Sequence, residues 1–371
     1  MPPGESARGR PADPHPALAT RACDLLGVRY PIVQTGMGWV SGVHLTAATA
    51  AAGGFGVLAA VTMPDAMMLA AVHELRARTD APFGVNLRPD QPGLDRRVRA
   101  LARAGVRVVS FAGAPAKDTV ATLHDAGVRC VVTVGRVRHA EKVVELGVDA
   151  VIAQGGEGGG HTGTVPTSLL VPQVVDAVGA DVPVLAAGGF HDGRGLVAAL
   201  AYGADGIAMG TRFLLTEESR VPAEIKRRYL AAGVTDTVVT TAVDGRPQRV
   251  IATPFVAGLE RRRPLRRAVR LLGAALRSRE LTGQSLPRSL REGRAMRRAG
   301  ASWAEVVNAI NVPLLIKAAL VDGRPDAGVL PTGQVAGAIT DVPAVADLVD
   351  RIVAEATATL TRLEVRPRDA G

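Results

Sequence analysis

The sequence predicts an α/β fold: a (β/α)8 barrel, a helical insertion over its mouth, and a closing helix at the C-terminus. Three observations carry this expectation. Short β-branched runs alternate with amphipathic stretches, a pattern that makes parallel strands. Eight such runs occur, the number that closes a barrel. Several of the amphipathic stretches also end in the same Gly-Val step, where glycine takes the left-handed cap conformation and releases the chain into a strand.

The strands read as Tyr30–Gln34, Gly56–Ala60, Pro82–Leu87, Val106–Phe111, Val128–Val134, Val148–Ala153, Val182–Ala186 and Gly206–Met209. Helical patterns lie between them at Val43–Ala52, Pro64–Arg78, Gly93–Arg103, Ala116–Ala126, Arg136–Leu146, Ser168–Val178 and Arg194–Ala201. The exit device recurs in Ala104-Gly105-Val106, Ala126-Gly127-Val128, Leu146-Gly147-Val148 and, as a variant, Tyr202-Gly203-Ala204. After the eighth strand the pattern changes. Residues 211–335 mix short apolar runs, a hairpin signal at Val243-Asp244-Gly245-Arg246 and helical stretches including Trp303–Val321, and are expected to form a cap. Val342–Leu363 reads as an amphipathic helix lying on the barrel, within a closing segment 336–371. Residues 1–20 are expected to be a disordered tail, with the barrel spanning 21–210; residues 1–16 carry five prolines and no apolar core.

The 371 residues suit one large domain with an elaboration, since such a barrel needs about 250. Cys23 and Cys130 make no disulfide framework and no metal-type spacing, which points to a reducing cytoplasm. The uncharged run Leu45–Met63 is cut by Gly53, Gly54 and Gly56, so it reads as a helix and a strand rather than a membrane anchor. The net charge of +9 is localised: residues 258–300 hold thirteen arginines against Glu260, Glu280 and Glu292. Without aromatic residues this segment does not read as a nucleic-acid surface. A basic helix over Pro264–Glu280 fits a solvated cap, acidic lipid, a partner or an anionic substrate.

Chemistry in such barrels sits at the C-terminal ends of the strands. Strand one ends in Thr35-Gly36-Met37-Gly38, and strand six in Gln154 followed by Gly155 through Gly163. Strand seven ends in Ala187-Gly188-Gly189, and strand eight in Met209-Gly210-Thr211-Arg212. The last two loops are where barrels of this kind commonly hold a phosphate on backbone N–H groups. Thr211 and Arg212 offer further donors. Gly158, Gly160 and Gly163 also match a dinucleotide fingerprint, but that fold has no need of eight units. His161 is the titratable group among these glycines, suited to act on a carbon acid or to donate to an anionic intermediate. No histidine spacing supports a metal site. Asn86 and Gln154 present amides fit either for the edge of a flat heterocycle or for backbone groups at the barrel mouth.

Taken together, these motifs resemble the nitronate monooxygenase family of FMN-dependent TIM barrels, from about Asp24 to Leu363. The resemblance is carried by Pro31-Ile32-Val33-Gln34 with Met37-Gly38, Gly84-Val85-Asn86, Gln154 through Gly163, Ala187-Gly188-Gly189, Met209-Gly210-Thr211 and Gly333-Gln334. It implies FMN, with Met37, Gly38, Asn86, Gln154 and Gly159 around the ring and ribityl chain and Gly36 and Gly160 also cofactor-binding. Gly188, Gly189, Met209, Gly210 and Thr211 are then at the phosphate, and His161 is the active-site base or electrostatic stabiliser. The implied reaction oxidises an alkyl nitronate with oxygen to a carbonyl compound and nitrite. Gly36 before Met37, Gly160-His161-Thr162 and the scarcity of aromatics instead look closer to a branch acting on cyclic acyl-CoA thioesters in actinobacterial steroid degradation. Lys226-Arg227-Arg228-Tyr229, Val243-Asp244-Gly245 and Gly328-Val329-Leu330 extend that likeness. A non-catalytic phosphate-binding barrel is the remaining alternative. A small-molecule substrate, no nucleic acid, no stable membrane insertion and a monomer or homodimer complete the expectation.

Overall fold

The computed structural model describes residues 13–91, 93–261 and 313–364. Eight parallel strands close into a barrel. They are β1 (Ile32–Gln34), β2 (Phe55–Ala59), β3 (Phe83–Leu87), β4 (Val108–Ala112), β5 (Arg129–Val134) and β6 (Ala150–Gln154). A two-residue strand outside the barrel, β7 (Gly160–His161), intervenes before β8 (Val184–Ala187) and β9 (Gly206–Met209). The ring closes where Ile32, Val33 and Gln34 of β1 pair with Ile207, Ala208 and Met209 of β9. Every predicted strand and every predicted intervening helix is present.

Several strands begin two residues later than the apolar pattern suggested, and the helix caps explain why. Gly105 has φ +75°, its N–H donates to Ala102 O, and the Val106 N–H reaches back to Leu101 O. This paired bonding is the Schellman arrangement, so Val106 belongs to the cap although it is apolar and buried. Val128 and Val148 make the same return bonds to Leu123 and Val143.

One apolar cluster lies between the strands and the surrounding helices. A second fills the barrel interior with Val33, Phe55, Val57, Val108, Val131, Ile152 and Leu185, joined at the bottom by Ala22 and Leu26 of helix Arg21–Leu26. Asp205 staples that end by accepting from Arg21 and from the Val184 N–H. Above β8 and β9 the interior positions are the small residues Ala187 and Ala208, which leave space below the loops leaving those strands.

Folded structure starts upstream of residue 21. Pro16–Leu18 forms a 3-10 turn, and Leu18 is buried in the main core. Residues 211–335 are not helical throughout: β10 (Thr237–Thr240) and β11 (Gln248–Ile251) form the antiparallel hairpin that Asp244-Gly245 signalled. β7 adds to its edge, with His161 opposite Gln248 and Gly160 opposite Arg249. The Pro264–Glu280 helix and most of the arginine-rich segment lie outside the described residues, as does all of Trp303–Val321 before 313; 313–320 is helical.

The C-terminal helix Val345–Glu364 packs on helix Gly193–Ala201. A Cβ at Gly193 would lie 2.4 Å from Ile352 O and from Ala356 N, so the two helices touch backbone to backbone. No helix among the described residues is long and apolar enough to cross a membrane.

Candidate active site

A cavity of about 340 Å³ opens at the C-terminal ends of the strands, within the size range of small-molecule sites. Its wall includes these residues expected from sequence, though not Arg212: Gly36, Met37, Gly38, Asn86, Gln154, Gly159, Gly160, His161, Gly188, Gly189, Met209, Gly210 and Thr211.

The β1 loop is drawn in by Ser41, whose hydroxyl accepts from the Met37 N–H and donates to Thr35 O. Gly36 lies directly against Asn86; a Cβ there would come within 2.3 Å of Asn86 Cβ. Asn86 Nδ2 donates to Ser110 O and Oγ, which fixes the amide and leaves its Oδ1 as the group available to a ligand. Gln154 Nε2 is committed to the protein, donating to His161 O at 2.8 Å.

The strand-six loop is compressed against its neighbours. A Cβ at Gly159 would meet Thr332 C at 2.5 Å and Gly333 N at 2.6 Å. Arg249 holds the loop through Gly156 O, and the Gln334 N–H donates to Glu157 O. Glu157 itself does not face water. Its carboxylate accepts from the N–H and hydroxyl of Thr167, the first residue of helix Thr167–Val178, and so caps that helix.

The two glycine-bearing loops after β8 and β9 meet across the cavity. Gly188 and Gly189 have φ of +97° and +86°, a conformation that turns their backbone toward the space and that side-chain residues rarely adopt. Among the described residues the N–H groups of Gly189, Gly210 and Thr211 carry no hydrogen bond within the protein. Thr211 Oγ1 accepts from the Gly333 N–H at 3.0 Å and keeps its own proton for donation. The result is a donor-rich, glycine-lined cradle for an anion.

Arg212 does not join it. Its guanidinium is 3% exposed and turns away to bond Asp341 Oδ1, Asp341 O and Leu215 O. The expectation that it donates to the anion is therefore corrected: its role is to anchor the segment leading to the C-terminal helix.

His161 projects from β7 with its side chain 54% exposed, and its Nε2 lies 2.6 Å from Asp244 Oδ2. Asp244 is 10% exposed. Burial works against its charge, but hydrogen bonds from His161, the Arg246 N–H and Gln248 outweigh that and hold the carboxyl below the usual range. Sequence reasoning took Asp244-Gly245 as a turn and missed this contact. It also missed Gln248, Ser110, Thr133, Pro331, Ile316 and Leu320, which line the cavity from other elements. The one local signal was the position of Asp244 in a hairpin that had to pack somewhere near the mouth.

The family profile described as Nitronate monooxygenase matches residues 19–95 and 92–355. This chain belongs to the nitronate monooxygenase family. It is similar to a protein of Mycobacterium tuberculosis named (3aS,4S,5R,7aS)-5-hydroxy-7a-methyl-1-oxo-octahydro-1H-indene-4-carboxyl-CoA dehydrogenase, with 51% identity over 91% of this chain and 96% of that one. It is 32% identical to a probable nitronate monooxygenase of Staphylococcus saprophyticus, over 64% of this chain and 80% of the relative. Among solved structures, FabK of Thermotoga maritima superposes with a TM-score of 0.77 at 33% identity, covering 93% of this chain and 98% of that one. The chain is accordingly an oxidoreductase of the nitronate monooxygenase family that uses a flavin and acts on a small molecule.

Proposed function

We propose that this family member is an FMN-dependent oxidoreductase of a cyclic carboxyl-CoA thioester. The observation that carries the reading is end-to-end similarity, at 51% identity, to a relative named for such a substrate. The cavity fits the cofactor. The unpartnered N–H groups of Gly189, Gly210 and Thr211 suit a phosphomonoester, and Asn86 Oδ1 suits a donor on the flavin edge. FMN held there would supply two-electron redox chemistry at a substrate carbon. His161 takes or returns the accompanying proton. The glycine loop and the helical stretch 313–320, through Ile316 and Leu320, shield the reacting centre from water.

The rim favours a large anionic substrate. Arg136 and Arg138 line an open pocket of about 510 Å³ together with Thr164 and Gln173, just past the His161 loop. Among the described residues neither arginine has an ion pair. The local potential is positive enough to be felt by His139, whose imidazole is held below its usual range by burial and then by Arg138, Arg136 and Lys142. Such a patch attracts the phosphates of a CoA carrier. Two buried, unpaired cysteines suit a reducing, cytoplasmic setting.

The deciding experiment compares anaerobic bleaching of the flavin by a cyclic acyl-CoA, an alkyl nitronate and NAD(P)H. Bleaching by the thioester supports the reading; bleaching by the nitronate alone supports nitronate oxidation, the second reading favoured by the 32% relative. A colourless protein unable to take up FMN sinks both and leaves a non-catalytic barrel. Replacing Arg136 and Arg138 by Glu is expected to raise KM for the CoA thioester without affecting a pantetheine thioester that lacks the nucleotide.

A further inference from the structure

We infer that Asp244 is a positioning residue that locks His161 in one tautomer, with Nε2–H donated to the Asp244 carboxylate, so that Nδ1 is the ring nitrogen that exchanges a proton with substrate. The inference rests on the proposal that His161 is the proton-handling group, and goes beyond it by assigning the atom.

The geometry leaves Nε2 no other employment. Asp244 Oδ1 accepts from the Arg246 N–H at 2.9 Å, which turns Oδ2 toward the imidazole. The register that places His161 opposite Gln248 brings the Gln248 amide nitrogen to 3.2 Å from the same ring nitrogen. Gln248 is 1% exposed, so its side chain cannot swing into solvent. Nε2 thus faces one acceptor, the Asp244 carboxylate; the Gln248 amide nitrogen is itself a donor and bonds the same carboxylate, so it does not take the Nε2 proton. Nδ1 has no hydrogen-bond partner among the described residues.

A neutral imidazole carries one N–H and one lone pair. An ionised carboxylate accepts and never donates, and Asp244 is held ionised by the bonds already described. The N–H must then sit on Nε2, and the lone pair on Nδ1. When a substrate C–H bond breaks, its electron pair leaves with the substrate and its proton passes to Nδ1, giving an imidazolium whose charge the adjacent carboxylate balances. Without Asp244 the proton samples both ring positions, and the ring is free to rotate about its side-chain bonds because it is half exposed.

The test uses the full-length protein labelled with 15N-histidine, with the His161 signals assigned by their loss in His161→Ala. At about pH 9, well above the ordinary imidazole range, wild-type His161 is expected to show a protonated Nε2 and an unprotonated Nδ1. Asp244→Asn should show averaged shifts from mixed tautomers. Turnover of whichever substrate bleaches the flavin should fall about 10-fold or more, mainly in kcat rather than KM, as expected when the carboxylate that orients a proton-handling histidine is lost. Asp244→Glu should recover part of that loss. A wild-type His161 protonated at Nδ1, or shifts averaged before any mutation, overturns the inference, and that measurement does not depend on a variant folding. A locked tautomer in a protein that no acyl-CoA reduces would instead overturn the proposed substrate and leave the positioning role standing.

Discussion

Gly36→Ala puts the architecture of the cavity to a quantitative test. The new Cβ would sit 2.3 Å from Asn86 Cβ and 2.9 Å from its Cγ, whereas carbon atoms pack best at about 3.5–4.0 Å. Something must give by more than an ångström. Asn86 cannot, because β3 is paired on both sides, Asn86 with Ala59 and with Ser110. The displacement therefore falls on Thr35–Met37, whose position depends on the Ser41 hydroxyl. Overpacking of this kind costs about 1–3 kcal/mol, and loss of the Ser41 bonds to Met37 and Thr35 adds about 1 kcal/mol. If the loop is a wall of the FMN site, most of this appears as weakened binding, about 10- to several-hundred-fold at 1.4 kcal/mol per decade. The assay is FMN titration by quenching of flavin fluorescence, with a thermal melt of the apoprotein beside it. A double-mutant cycle with Asn86→Gly, which removes the whole opposing side chain, should show coupling above about 1 kcal/mol; Asn86→Ala, which keeps the clashing Cβ, should not relieve the defect. Gly36→Ala binding FMN within twofold of wild type and melting at the same temperature would refute the argument.

Three further outcomes follow from single contacts. Among the described residues a Cβ at Gly258, in helix Pro254–Glu260, meets nothing within 4 Å, so Gly258→Ala should stabilise the protein by about 0.5–1 kcal/mol in a denaturant titration. Burial, and secondarily Asp149, push the Cys130 thiol up to about 12, so it should resist maleimide at pH 8 until the protein is unfolded. Asp244, Asp192 and Asp341 have carboxyls held below their usual range, because hydrogen bonds and neighbouring cations outweigh the opposing effect of burial. The stability they contribute is present above the unfolded carboxylate value of about 3.9 and is lost as pH falls through the lower folded values. The melting temperature should therefore be flat from about pH 5 to 7 and drop below about pH 4, less steeply in Asp244→Asn.

Local rules within a few residues were enough to read the barrel and the glycine cradle. A β-branched run of five residues, a helix closed by Gly105 or Gly127, and a Gly-Gly pair after a strand each report a backbone conformation demanded on the spot. The residues of the family motifs lie together on the cavity wall because strand ends converge once eight units close. Side-chain partners are another matter. Asp244 is 83 positions from His161, and only the register of β11 against β7 brings them together. Nothing near Glu157 in the sequence marks it as a helix cap; only the folded loop lays it on the start of the Thr167 helix. Arg212 follows an anion-cradle motif, yet it turns to Asp341 because the returning chain passes within hydrogen-bond reach. Backbone conformation is settled by neighbours in sequence, so it can be read there. The choice of partner for a charged side chain depends on which distant segments the closed barrel brings within hydrogen-bond reach, and that was decided only in three dimensions.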